Sequence, residues 1–157
     1  MNLAKILVRP QGYRQFIDGP LGERLELPGR DGQRLSDIDA ELLNELQFSQ
    51  GYLRAWVISD YGLASAYLLA LEFGTPAGAT QFLLRWSKTV DWLSHAVQFD
   101  PSIESGGRGW ILHGHHGYVA FTRGTVVFII NSQSPSEDRS AVLAEEIARQ
   151  QEQLLTA

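Results

Sequence analysis

Two segments of the chain are apolar on both faces of an extended strand. In LASAYLLALEF (residues 63–73) and TVVFIIN (residues 125–131), apolar side chains occupy odd and even positions alike. An antiparallel sheet with one face in water instead alternates apolar and polar residues along each strand. We therefore expect a sheet covered on both faces, by the protein's own helices, by a second copy of the chain in a homodimer, or by an apolar ligand.

Tight turns between consecutive strands make this sheet antiparallel. DYG (60–62) separates the strand GYLRAWVIS from the segment 63–73, and the connections HGHHG (113–117) and RG (123–124) separate the strands WILH, YVAFTR and TVVFIIN. Such short connections with glycine are typical of hairpins. The Ala and Leu content of segment 63–73 also permits a helix, but the preceding strand and turn favour a strand.

Capping residues and apolar spacing predict three helices. A short helix spans residues 36–47, with Ser36 as its N-cap. A long amphipathic helix spans residues 76–96, with Pro76 at its first position, where the missing N–H costs nothing. A second long amphipathic helix spans residues 135–155 and opens with the capping sequence SPSE.

The predicted architecture is one α+β domain over residues 1–157. Its antiparallel sheet has about five to six strands, with the two long helices packed on it. Residues 12–34 are rich in Gly, Pro and charge, so we expect an extended loop there with one short strand near residues 24–27.

Composition and charge exclude several classes of function. The net charge is −5 and the basic residues form no block, so we expect neither nucleic acid nor an anionic membrane surface as a partner. No apolar run reaches the roughly 20 residues that cross a bilayer, so no transmembrane segment is expected. The chain has no cysteine, which excludes disulfides, thiolate nucleophiles and Cys-ligated metal centres.

The chain carries no motif of a known catalytic site. A Gly-x-Ser-x-Gly elbow, a P-loop and a dinucleotide fingerprint are all missing from the sequence. The glycine-rich stretch SGGRG (105–109) lacks the strand-loop-helix context of a phosphate-binding loop. We therefore expect no cofactor, and a binding or interaction module in preference to an enzyme.

The densest group of potential metal ligands is His113, His115 and His116. Imidazole binds zinc, copper or nickel. Flanking glycines place the three histidines in a turn, and no carboxylate or cysteine accompanies them at ligand spacing. An exposed turn is the simpler interpretation, and a metal-binding protein or metal-dependent enzyme is the alternative function.

A strand rich in aromatic residues is the candidate binding surface. Tyr52, Arg54 and Trp56 share one face of their strand, and Trp110 lies on a later strand. Tyrosine, tryptophan and arginine are enriched at binding hot spots, although they are also ordinary sheet residues. We expect these four residues to bind a protein partner or an apolar ligand.

Several segments carry a resemblance to a known family. The stretches FSQGYLRAW (48–56), FGTPAGA (73–79), RG (123–124) and LAEEIARQQEQLL (143–155) resemble small secreted lipoproteins and sensor-like domains of actinobacteria, with a PsbP-like α+β fold. The resemblance implies binding and assembly without catalysis. It also implies export, so we expect an extracytoplasmic location in preference to a cytoplasmic one.

The chain departs from that family at its N-terminus. It begins with Met1 and has no lipid-attachment cysteine, so a leader and anchor would have to precede this chain. An intracellular scaffold or adaptor is therefore the third functional hypothesis.

Overall fold

Seven strands of the described chain form one antiparallel sheet. The computed structural model describes residues 1–29, 40–58, 64–92, 96–112, 115–135 and 137–156. The helices are α1 (Leu3–Ile6), α2 (Ala40–Glu45), α3 (Pro76–Trp92) and α4 (Glu137–Thr156). The strands are β1 (Tyr13–Pro20), β2 (Phe48–Ile58), β3 (Ala64–Phe73), β4 (Val97–Phe99), β5 (Arg108–Leu112), β6 (His116–Arg123) and β7 (Val126–Gln133).

The strand order is β1-β2-β3-β7-β6-β5-β4, and every neighbouring pair is antiparallel. The chain builds β1 to β3 side by side, passes through α3 to the far edge at β4, and returns strand by strand to β7. There β7 pairs with β3, with Leu69 opposite Ile129. The predicted α+β class and antiparallel sheet are confirmed.

Helices of the protein cover both faces of the sheet. α4 packs over β5, β6 and β7 on one face, which we call the α4 face, and α3 packs over β3, β6 and β7 on the other, the α3 face. The N-terminal segment 1–10 completes the α4 face beside β2, while α2 and residues 21–27 complete the α3 face. The protein's own helices thus account for the strands that are apolar on both sides.

Aromatic contacts mark the centre of each core. On the α4 face, Phe121 and Phe128 stack with their ring centroids 5.1 Å apart. On the α3 face, Phe82 of α3 lies 5.1 Å from Phe73 of β3. Burying one such side chain contributes about 1.5–3 kcal/mol to folding.

The sheet has more strands than the five to six predicted, because both edge strands were missed. β1 lies in the region predicted to be a loop. Its side chains are mostly exposed, and a bulge between Gln15 and Ile17 breaks the alternation that would have revealed it. β4 has three residues, two of them exposed, so it has no apolar pattern.

The strand predicted near residues 24–27 does not form. Leu25 lies in a tight turn with φ +61°, and Glu26 makes an isolated bridge. The turn is closed by hydrogen bonds between Gly22 N and Glu26 O (3.0 Å) and between Leu25 N and Gly22 O (3.0 Å). These contacts replace the ladder that a strand needs.

The three predicted helices exist with adjusted ends. In α3 the Gly78 N–H donates to Thr75 Oγ1 at 3.0 Å, which is an N-cap contact. The predicted end at residue 96 is wrong, because Ala96 is not helical and Val97 begins β4. The predicted cap Ser36 lies outside the described residues. Among the helices described, none is both long and apolar enough to cross a membrane.

Candidate functional site

A cleft of about 320 Å³ opens between residues 21–27, α2 and the start of β2. Ligand pockets range from roughly 300 to 1,000 Å³, so this cleft is a small one. Its lining consists of Glu23, Arg24, Leu43, Asn44, Phe48 and Ser49. We call it the α2 cleft.

The α2 cleft has an apolar floor and a polar rim. Leu43 is buried, and Phe48 is half-buried with its ring centroid 5.7 Å from that of Phe73. Asn44 and Ser49 are exposed on the rim, as are Glu23 and Arg24 of the 21–27 segment. Most of the surface that a ligand would touch is polar, so this arrangement suits a small group that has one apolar side and hydrogen-bonding edges.

Two non-glycine residues with left-handed backbone flank the α2 cleft. Leu25 has φ +61° and is buried, and Gln47 has φ +60° just after α2. The left-handed conformation of Gln47 is common just after the C-terminus of a helix. The carbonyl of Gln47 accepts a hydrogen bond from Gly74 N at 2.8 Å. Leu25 takes this conformation at the end of the turn that its N–H closes on Gly22 O, where three-residue loops place a left-handed residue that is usually glycine. Its conformation costs about 1–2 kcal/mol, and such strain is concentrated at functional sites.

A second group of polar side chains crosses the α3 face of the sheet. The cross-strand register places Asn131 of β7 between Tyr67 of β3 and Tyr118 of β6. The next row holds another polar residue on each of the same strands. We call these six residues the polar rows: Ser65, Tyr67, His116, Tyr118, Asn131 and Gln133.

The two tyrosines of the polar rows are hydrogen-bonded to each other, and both are neutral at pH 7 because their pKa values are raised. Burial raises the pKa of Tyr67, and the hydrogen bond that its hydroxyl donates to Tyr118 raises it further. Burial also raises the pKa of Tyr118, while the bond it accepts from Tyr67 opposes that change. The ring of Trp86 from α3 lies 5.8 Å from Tyr118 and 5.4 Å from Trp110, so aromatic groups cover this row.

Two buried polar atoms of the polar rows have no hydrogen-bond partner. They are Asn131 Nδ2 and His116 Nδ1, and no other buried side-chain atom of the described residues shares this state. Asn131 is only 7% exposed. Buried polar groups in native proteins are nearly always paired, so these two indicate a place for a ligand or ordered water.

The structure places Tyr52, Arg54 and Trp56 on the α4 face, as their spacing predicts, and Trp110 on the α3 face. Arg54 is 0% exposed, Trp56 is 1% exposed and Trp110 is 0% exposed. The Arg54 guanidinium donates to Asp18 Oδ1 at 2.9 Å and to the carbonyls of the N-terminal segment, the shortest being Leu7 O at 2.7 Å.

This placement gives Arg54 a structural role that the sequence analysis did not assign. Burial alone would raise the pKa of Asp18, but hydrogen bonds from Arg54 and Tyr52 outweigh it, so the pKa is below its ordinary value. Residues 1–10 cover Arg54 and Trp56. The binding role of the four residues stays a prediction. For Arg54 and Trp56 it requires residues 1–10 to leave the sheet, whereas Trp110 lies on the other face, where Trp86 of α3 contacts it.

The histidine group is only partly within the described residues. His113 lies outside them. His115 is exposed with φ +75°, and His116 is half-buried in β6. No group of three potential metal ligands occurs among the residues that the structure describes. The metal site stays a prediction.

Neither the α2 cleft nor the polar rows was found from the sequence. The cleft combines residues from a segment predicted to be a loop with residues from α2 and β2. In the polar rows, Tyr67 and Tyr118 match an ordinary sheet. The one sequence feature that could have indicated the polar rows is Asn131, a polar amide that directly follows the apolar run of β7.

Comparison with known proteins finds a structural likeness and no sequence relative. No protein-family model matches the chain, and no curated protein matches its sequence. Among solved structures, the chain is similar to the extracellular domain of PknH from Mycobacterium tuberculosis, with a TM-score of 0.60 and 8% identity. The match covers 99% of this chain and 95% of that one.

At 8% identity this likeness shows a shared fold and nothing finer. The fold is thus found in an extracellular domain. The lipoprotein family and the PsbP-like fold that the residues suggest have no support from these comparisons, and they stay predictions.

Proposed function

We propose that the protein is a non-enzymatic binding module that holds an apolar side chain of a protein partner in the α2 cleft. The observation that carries this proposal is the cleft itself, with its apolar floor of Leu43 and Phe48 and its polar rim. The strained backbone of Leu25 beside it adds support, because such strain is often kept for function.

The size of the α2 cleft favours a protein partner over a free apolar ligand. A volume of about 320 Å³ is at the lower end for pockets that enclose whole small molecules. A single anchor residue of a partner needs less space, and such anchors carry much of the binding energy of interfaces. The exposed rim residues Asn44 and Ser49 would then meet the partner's backbone.

We propose further that the protein acts outside the cytoplasm, as the soluble part of an exported, lipoprotein-like protein. The similarity in fold to an extracellular domain supports this location. The alternative is an intracellular scaffold. The two hypotheses predict that the partner is found in different cell fractions.

Site-specific photo-crosslinking in the native host tests both proposals. A photoreactive residue replaces Asn44, which lines the α2 cleft, and in a matched control it replaces Glu45, the next exposed residue of the same helix. We expect a discrete adduct from position 44 alone, in the extracytoplasmic fraction.

Other outcomes decide between the alternatives. Equal adducts from both positions, or none from either, would contradict the cleft as a binding site. An adduct found only in the cytosol would favour the intracellular scaffold. An adduct of twice the chain's mass would identify a second copy of the protein as the partner.

A further inference from the structure

The polar rows contain a buried donor for which the described structure offers no acceptor. Asn131 is 7% exposed, and its Nδ2 has no hydrogen-bond partner. Leaving such a group unpaired costs about 1–3 kcal/mol. Its neighbour on the same face of β7, Ile129, belongs to the apolar core of that face. The amide is therefore a costly choice unless a ligand oxygen accepts its hydrogen bond.

A second donor lies beside Asn131. Tyr118 is its cross-strand neighbour, so their Cβ atoms lie about 5 Å apart. The Tyr118 hydroxyl also shares a hydrogen bond with Tyr67, and because a phenol can both donate and accept, its O–H can turn to a ligand. Two neutral donors on adjacent strands can thus meet one oxygen atom, or two oxygen atoms of one molecule.

The charge of the polar rows disfavours an ionic ligand. They contain no lysine, arginine or carboxylate. Along the same register the nearest described arginine is Arg14 on the edge strand β1, opposite Val57. It is three strands from Gln133, or about 14 Å. Apart from the imidazole of His116, a buried anion would have no potential counter-charge among the described residues of these rows, and burying an unpaired charge is expensive.

The polar rows are open to solvent at one end and lined by an aromatic ring at the other. Gln133 is exposed, and Ser65 and His116 beside it are half-buried. At the covered end, Trp86 of α3 lies against Tyr118. A ligand that enters past Gln133 thus meets hydrogen-bond donors on the sheet and an apolar wall on the helix.

We propose that the polar rows form a second ligand site, separate from the α2 cleft. The site takes a small uncharged molecule that presents a carbonyl or hydroxyl oxygen to Asn131 and Tyr118. The apolar ring of this molecule packs against Trp86.

Four probes of matched size test the chemistry by NMR on the full chain. They are benzamide, benzoate, benzylamine and toluene. We expect saturable shifts of the Asn131 side-chain amide with benzamide, and binding at least about tenfold weaker with the two charged probes and with toluene, because each lacks either neutrality or the acceptor oxygen.

Variants locate the binding. Because Asn131→Leu removes the side-chain amide signal itself, binding to the variants is followed by the backbone amides of β6 and β7. Asn131→Leu should abolish the benzamide shifts of these amides, and Tyr118→Phe should weaken binding about fivefold, as expected for one lost hydrogen bond. Asn44→Leu, which changes the asparagine of the α2 cleft, should leave binding unchanged and separates the two sites. Both variants of the polar rows are checked for native amide spectra before titration.

Several results would overturn the second site. These are the absence of saturable shifts with all four probes, binding of benzoate as tight as that of benzamide, or full binding by Asn131→Leu. A crystal soaked in benzamide that shows only an ordered water on Asn131 Nδ2 would also overturn the second site.

Discussion

The two faces of the sheet differ in how their buried polar side chains are paired. On the α4 face, Arg54 and Gln151 both bind the N-terminal segment, and Ser132 donates to the backbone carbonyl of Ser140 on α4. On the α3 face, Asn131 and His116 each keep a buried atom without a partner in the described chain. Both faces are covered by helices, and Asn131 is buried, as are the paired groups of the α4 face, so burial alone does not explain the difference.

The difference separates a structural face from a binding face. The polar groups of the α4 face join segments far apart in the chain, as Val8 N and Gln151 Oε1 do at 2.8 Å across 143 residues. On the α3 face, Asn131 Nδ2 and His116 Nδ1 have no partner that the structure describes, so these two atoms are available to a ligand. Substitutions on the two faces should therefore have different effects on stability.

The largest effect is expected for Arg54→Met. The substitution keeps an apolar stem but leaves the carbonyls of Leu7 and Ala4 without their donor and takes one of its partners from Asp18. Leaving a buried acceptor unpaired costs about 1–3 kcal/mol, so the loss of both carbonyl contacts should cost about 3–5 kcal/mol. Urea unfolding should show this loss, and hydrogen exchange should show residues 1–10 detached.

Arg9→Met is the control for that variant. Arg9 lies 3.7 Å from the same carboxylate, but its side chain is 63% exposed. Exposed pairs contribute about 0–1 kcal/mol, so the control should stay near wild type. Equal losses in both variants would contradict the structural role of Arg54.

Gln151→Leu should have the next largest effect. Its amide accepts from Val8 N at 2.8 Å and donates to Ile6 O at 2.7 Å. Losing both leaves two backbone groups unpaired, and we expect a loss of about 2–3 kcal/mol in urea unfolding. Gln153→Leu, an exposed site on the same helix, should change stability by less than about 0.5 kcal/mol.

Acid should weaken the α4 face. Burial alone would raise the pKa of Glu152, but the hydrogen bonds it accepts from Ser105 and Glu104 outweigh burial, so its pKa is lowered, as is that of Asp18. A carboxylate whose pKa is lower in the folded state stabilises the fold above its unfolded pKa. That stability is lost as the pH falls through the folded pKa.

We therefore expect unfolding to become easier as the pH falls below about 4. Glu152→Gln should lower stability at pH 7 by about 1–2 kcal/mol and flatten this acid dependence. Glu146→Gln, on the same helix, is the control. An unchanged acid profile in Glu152→Gln would contradict a role for this carboxylate.

The sequence predicted the elements with strong periodicity and missed the edges. α3, α4 and the central strands repeat apolar residues at clear spacing, so their identity followed from local pattern. β1 and β4 lie at the edges and are mostly exposed, so their residues carry no such pattern.

The sites were harder to predict because they depend on distant contacts. The shared face of Arg54 and Trp56 followed from their spacing, but their burial depends on the N-terminal segment that covers them. In the same way, nothing local shows that Asn131 Nδ2 lacks a partner. That fact requires the positions of Tyr67 and Tyr118 on two other strands.

The most direct test of the central claim is the stability of the Asn131→Leu variant, for which we predict the smallest change. Because the amide nitrogen is buried and unpartnered in the described structure, replacing it with an apolar side chain should leave the free energy of unfolding unchanged or raise it by up to about 1 kcal/mol. Urea unfolding beside Gln151→Leu measures this. A loss of about 2 kcal/mol, equal to that of Gln151→Leu, would mean that Asn131 is a structural residue and that the two faces do not differ.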